Sequence, residues 1–328
     1  MRTRTKVWLI IAASLVLIGC ILFAGVMTTL KWDFMELATV KYETNAYEIS
    51  EAFDNISMNT DTADIAFVLS DDGNCRVECY EEANAKHHVT VEDGTLTVEL
   101  IDERSVYDFI GYIGLNFGSP KITVYLPKTE CTKLLINGDT SDVEIPNDFM
   151  FKDVDISLST GDVDFCASAC EIIKVKTNTG DICIENISAG SLDLSVSTGK
   201  VTVSDMSCEG DVNIKVSTGK TELNNIRCKN VISDGDTGKM LLKNVVAEGK
   251  FSVKRSTGDI TLENCDAAEI FIETDTGNVS GTLLSEKVFF VETDTGRINV
   301  PKTTSGGRCE ISTDTGDIKL DVLQNGKP

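Results

Sequence analysis

A Thr-Gly pair recurs nine times in the second half of this chain, with its glycines at Gly161, Gly180, Gly199, Gly219, Gly238, Gly258, Gly277, Gly296 and Gly316. Successive spacings are 19 or 20 residues. A unit that short cannot enclose a core, so copies at a fixed interval must stack and share one, which is the signature of a solenoid. Aligned on the glycine, the position two residues on is mostly apolar (Val163, Ile182, Val201, Ile260, Val279) and so is the position four on (Phe165, Ile184, Val203, Leu223, Leu262). Polar residues alternate with them, and the positions seven and five before the glycine repeat the pattern, as in Ile173/Val175 and Leu192/Leu194. That is strand periodicity on both sides of a turn.

Each repeat therefore reads as strand, Thr-Gly turn, strand, second turn, and the nine glycines are assigned as turn-structural. Thr-Gly suits a type II turn, whose second central residue needs positive φ. Six residues after the glycine come Asn186, Asp205, Asn225, Asn244 and Asn264, placed to form an amide ladder at a bend. At ~4.8 Å per layer, nine or ten coils extend ~45 Å. Degenerate copies occur at Asp139 to Val143 and, more distantly, at Asp61 to Ile65.

Val7 to Leu30 is a charge-free run whose helix reaches ~36 Å, enough to cross a ~30 Å hydrocarbon core. Arg2, Arg4 and Lys6 precede it, and Asp33 and Glu36 follow closely, so the positive-inside rule puts the N-terminus in the cytoplasm and the rest outside. A cleaved signal peptide is a poorer fit, because the apolar run outlasts a typical h-region. Leu17-Ile18-Gly19-Cys20 has the shape of a lipidation box, and whether Cys20 is lipidated stays open. Five segments result: 1–6, cytoplasmic; 7–30, a transmembrane helix; 31–130, a membrane-proximal β cap; 131–323, the repeats; and 324–328, a flexible tail. The fold class is all-β, a single β-solenoid of 19–20-residue coils with an N-terminal β cap, preceded by one transmembrane helix.

The net charge of -22 excludes a nucleic-acid partner, which would need a basic footprint. Acid is densest in residues 31–130, with 20 acidic against 7 basic side chains. Asp275, Asp294 and Asp314 each precede a Thr-Gly and form a possible cation ridge, for which calcium would be the natural ion. A solvated acidic face is the alternative, and no cofactor is otherwise called for. Tyr107, Phe109, Tyr112 and Phe117 crowd one stretch before the repeats, as a possible binding loop or an apolar plug. The eleven cysteines fall mostly at small apolar slots. Cys208 and Cys228 occupy the same register in adjacent repeats, where either buried thiols or a disulfide fit. His87 and His88 are adjacent, so on a strand they face opposite sides and cannot hold one metal together. Ser217-Thr218-Gly219-Lys220-Thr221 mimics the end of a phosphate-binding loop, but Ile214 stands where that motif needs glycine.

With its N-terminal anchor, the segment Ser-Pro-Lys-Ile-Thr-Val-Tyr-Leu-Pro at 119–127 and the recurring S-T-G-D and T-D-T-G-D turns, the chain resembles a bacterial family. This is the putative-adhesin domain-of-unknown-function family of membrane-anchored β-strand-repeat surface proteins, and the likeness runs from about residue 40 to 322. The resemblance implies a cell-surface location and supplies no catalytic residues. The expectation is a non-enzymatic, membrane-tethered extracellular protein, an adhesin or surface binder, with a glycan or protein ligand outside the cell. Alternatives are an accessory of cell-envelope stress sensing and a polysaccharide lyase-like enzyme built on Asp275 or Asp294.

Overall fold

A computed structural model describes residues 3–32, 41–102 and 118–323. It divides into two compact units, residues 1–43 with 82–85 and 102–118, and residues 44–81 with 86–101 and 119–328. The first unit carries the helix Thr3–Thr29. Residues Thr5–Thr29 are long and apolar enough to cross a membrane, and the sequence supplies no charge from Val7 onward to interrupt them. Lys31 and Trp32 at positive φ end the helix. Of the chain's two tryptophans, Trp8 lies near the start of this helix and Trp32 just past its end.

The second unit is the β-solenoid. Strands that precede each Thr-Gly stack in one parallel ladder, for example Met150–Thr160, Ser168–Thr179, Ser188–Thr198 and Asp211–Thr218. Strands that follow it stack in a second, through Val163–Phe165, Ile182–Glu185, Val201–Cys208 and Thr221–Cys228. Register is one coil per repeat, so Ile156 lies beside Val175, Val175 beside Leu194 and Leu194 beside Ile214. These residues, with Val163, Phe165, Ile182, Ile184, Val201 and Val203, are buried in one continuous core. The alternation read from the sequence is the inside and outside of the coil.

The Thr-Gly corner departs from the expected turn. Six of the nine glycines, from Gly161 to Gly258, have φ between 138° and 152°, far from the ~80° that a type II turn needs. Their backbone runs almost extended through the corner, and each glycine N–H bonds to a threonine carbonyl of a neighbouring coil, as Gly180 does to Thr198 at 3.0 Å. The requirement for glycine is steric as well as conformational. A Cβ on Gly219 would lie 1.7 Å from the carbonyl oxygen of Gly199, and one on Gly316 would lie 1.9 Å from that of Gly277, although Gly316 is not in the left-handed range. The next residue adds a ladder the sequence did not announce. Asp142, Asp162 and Asp181 each accept, through Oδ1, the backbone N–H of residue 162, 181 or 200 one coil on, at 2.7–2.8 Å.

At both ends the coils stack out of chain order. Asn55–Thr60 pairs with both Thr95–Asp102 and Glu130–Thr140, and Asp64–Leu69 with both Lys121–Leu126 and Val143–Ile145. The coil at 55–69 thus lies between Thr95–Asp102 and Lys121–Leu126 on one side and the coil at 130–145 on the other. At the far end Glu269–Thr276 pairs with Gly307–Thr315, which in turn pairs with Lys287–Thr295. Coil geometry therefore reaches into the stretch expected to be a separate β cap. The repeat at 61–65, a distant relative by sequence, is a true coil corner, where Ile65 N–H bonds to the Asp142 carbonyl at 2.8 Å. What covers the N-terminal edge is Cys75–Glu82, antiparallel to Lys121–Leu126 with Val77 beside Val124.

Candidate functional site

Six residues past the glycine, the chain bends outward. Asn186, Asp205, Asn225, Asn244 and Asn264 all have φ of 52–56°, the left-handed conformation that Asn and Asp tolerate best among residues with a Cβ. Their side chains stack. Asn225 Nδ2 donates to Asp205 Oδ1 at 2.8 Å, Asn244 Nδ2 to Asn225 Oδ1 at 2.8 Å, and Asn264 Nδ2 to Asn244 Oδ1 at 3.2 Å. Asn225, Asn244 and Asn264 each spend one N–H on this ladder and have a second to offer.

The bend makes the surface concave, and a groove of 980 Å³ runs beside the ladder across successive coils. The five ladder residues form one side. The other is built two positions later in the repeat, by Ser188, Ser207, Arg227 and Val246, and is continued by Leu284 and Leu323. Ile187 and Met206, almost fully buried, form the floor. The groove offers amides at four layers and a carboxylate at the fifth, two hydroxyls, one guanidinium and an apolar shelf. A second cavity of 570 Å³ lies near Glu248, Asp266 and Lys287. There the buried Lys287 ammonium pairs with Asp266 at 2.6 Å, which accounts for its charge.

The residues expected to matter fall in three places. The nine turn glycines line the Thr-Gly corner. Asp275, Asp294 and Asp314 are exposed on the outer face, but their spatial order is Asp275, Asp314, Asp294, because the coil at 307–322 lies between the other two. Tyr107, Phe109, Tyr112 and Phe117 lie outside the described residues. All eleven cysteines are free thiols, and Cys208 and Cys228 are both buried. Burial pushes the Cys228 thiol up to about 12, with Cys208 and nearby acids adding to the shift.

One cluster in the solenoid unit was not foreseen. His87 is buried and His88 is exposed, as strand alternation requires, yet His87 meets Glu81 and Cys79 from the neighbouring strand. Among the described residues these three form the group whose potential ligand atoms converge, all within 4.8 Å of one another. The sequence signal was available in Cys79-x-Glu81, which puts both on one face of a strand. Their meeting with His87 depends on the reversal between the two strands.

The family profile of Toastrack DUF4097 matches residues 53–215 and 209–327, and the chain belongs to that family. Among solved structures it is similar to a putative adhesin from Bacteroides fragilis, at 17% identity and TM-score 0.41, covering 86% of this chain and 97% of that one. A putative lipid binding protein from Parabacteroides distasonis is similar at 15% identity and TM-score 0.47, covering 87% and 98%. A putative adhesin from Parabacteroides merdae follows at 11% and 0.44, again covering 87% and 98%. No curated protein matches the chain.

Proposed function

We propose that this protein is a membrane-tethered, extracytoplasmic binding protein without catalytic activity, an adhesin-like surface protein that holds an extended glycan along the asparagine-lined groove. The observation that carries the reading is the groove itself. Its ladder side repeats an amide at four of its five layers, as suits a polymer with repeating units, whereas an enzyme concentrates unlike groups at one point. Sugar hydroxyls both donate and accept, and so does each ladder amide. The apolar shelf of Val246, Leu284 and Leu323 suits the C–H faces of sugar rings. Location outside the cell rests on the basic residues before the helix and the acidic ones after it.

The exposed aspartates of the later coils give the lyase alternative little support, since the two carboxylates it would use, Asp275 and Asp294, are separated by an intervening coil. The test is retention of the detergent-solubilised full chain on immobilised cell-wall and host-matrix glycans, with and without calcium. Retention that drops at least tenfold in an Asn225→Ala, Asn244→Ala double variant supports the proposal. Failure to bind any glycan, or equal binding by the double variant, removes it.

A further inference from the structure

Cys79, Glu81 and His87 lie away from the groove and take no part in the proposed binding. Cys79 and Glu81 are fully buried and His87 is 3% exposed. Glu81 Oε2 accepts the backbone N–H of His87 at 2.6 Å and lies 2.8 Å from His87 Nδ1. Glu81 Oε1 accepts from Asn45 Nδ2 at 2.7 Å. On the far side of the imidazole, Nε2 is 3.1 Å from the hydroxyl of the buried Thr60, and Tyr47 donates to the His87 carbonyl at 3.1 Å.

We propose that these three side chains form a structural zinc site, with Cys79 Sγ, Glu81 Oε2 and His87 Nδ1 as ligands. Three arguments support it. First, the donor set is one thiol, one imidazole and one carboxylate, which is zinc chemistry and unlike the all-oxygen shells of calcium or magnesium. Second, the surrounding bonds are those an outer shell supplies. With the metal bound, Nε2–H would donate to the Thr60 hydroxyl 3.1 Å away and leave the Nδ1 lone pair facing the cluster, while Asn45 already donates to the other carboxylate oxygen. Third, Glu81 is buried with no lysine or arginine paired to it among the described ion pairs, its one such partner being His87. A buried carboxylate and a thiolate are costly separately, and one divalent cation neutralises both while the imidazole stays neutral.

The imidazole and carboxylate donors need little adjustment, and all three donor atoms already lie within 4.8 Å of one another. Two ligands on a tetrahedral zinc at about 2.0–2.1 Å stand roughly 3.3 Å apart, so the Nδ1 to Oε2 separation opens by about half an ångström. A water or hydroxide completes the fourth position. The site would tie Cys75–Glu82, which covers the solenoid's N-terminal edge, to the following strand Ala85–Glu92.

The full chain in detergent, chelator-treated under reducing conditions, is titrated with cobalt(II) as a spectroscopic substitute. The expected result is uptake of one equivalent, with a thiolate-to-cobalt charge-transfer band and the intense visible bands of four-coordinate cobalt, all displaced by one equivalent of zinc. Cys79→Ser should abolish the charge-transfer band, Cys75→Ser should leave it, and Thr60→Val should weaken uptake about 10- to 100-fold. Absence of stoichiometric uptake by the wild-type chain overturns the proposal, and so does a charge-transfer band that persists in a folded Cys79→Ser protein. If Cys79→Ser does not fold, the wild-type stoichiometry and the Thr60→Val titration decide the matter.

Discussion

Replacing Gly219 by alanine tests why the repeat insists on glycine. At φ 148° an L-residue carries a backbone strain of about 1–3 kcal/mol. The new Cβ would also lie 1.7 Å from the Gly199 carbonyl oxygen, and because that oxygen is backbone, two coils must separate locally, adding about 1–3 kcal/mol as overpacking does. Gly219→Ala should therefore cost about 3–5 kcal/mol, at the upper end for a point change. Two controls separate the terms. Gly73 has φ 77° but nothing within 4 Å of its would-be Cβ, so Gly73→Ala should cost only about 1–2 kcal/mol. Gly316 lies outside the left-handed range yet would place its Cβ 1.9 Å from the Gly277 carbonyl oxygen, so Gly316→Ala isolates the steric part at about 1–3 kcal/mol. Urea denaturation of the full chain gives the ranking. Hydrogen exchange at the neighbouring coils locates the damage, since a stacked array opens locally. Equal costs for Gly73→Ala and Gly219→Ala, or a neutral Gly316→Ala, would refute the claim that coil stacking selects glycine in addition to backbone conformation.

Asn244→Ala removes the ladder bonds to Asn225 and Asn264 and a residue suited to positive φ; a loss of about 1–3 kcal/mol is expected in the same urea assay. Arg255 is buried and donates to Thr221 and Ser233, and burial lowers its pKa. Replacing it with methionine should leave the melting temperature unchanged or raise it, because a desolvated cation gives way to an apolar chain of similar reach. The Asp164 carboxyl is raised by desolvation and then by Asp162, Glu144, Glu185 and Asp142. The folded chain thus holds that proton more tightly than the unfolded one, and stability from this group is complete below roughly pH 4 and lost as pH rises through the folded value. Asp164→Asn should accordingly raise the melting temperature near neutral pH and not in acid, with the gain reduced by salt.

What could be read from the sequence was whatever repeats. The apolar positions around each Thr-Gly carry the coil, its register and its core, because every copy samples the same environment and alignment averages out the exceptions. The amide ladder was readable for the same reason, as Asn186 to Asn264 share one offset. Conformation at the glycine was not, since positive φ and a close carbonyl both demand the same residue. The carboxylate ladder at Asp142, Asp162 and Asp181 was hidden because lysine takes the same offset at Lys200, Lys220 and Lys239. The Cys79, Glu81 and His87 cluster lies in the non-repeating part, where proximity comes from strand pairing and no second copy marks the positions.

The order of the coils follows from a problem every open stack has, namely that its two end layers expose unpaired backbone groups that fray or recruit another chain. If layers followed chain order, the first and last coils in sequence would be those ends, each held by one neighbouring coil. Here the first coil, 55–69, and the last, 307–322, are each paired on both sides. Beyond the first coil lie Thr95–Asp102 and Lys121–Leu126, the latter covered in turn by Cys75–Glu82, and beyond the last lies the layer at 287–299. The terminal layer at 287–299 is followed by Pro301 and Lys302, residues that discourage a further strand from pairing. Nearest-neighbour energetics then predict that the ends should exchange more slowly than in a solenoid stacked in sequence order. Moving the last repeat to the outer position, by deleting residues 284–303 and joining Leu283 to Thr304, should speed exchange in Gly307–Thr315. If exchange there were unchanged in a folded deletion protein, the interleaving would confer no protection and this account of it would be wrong.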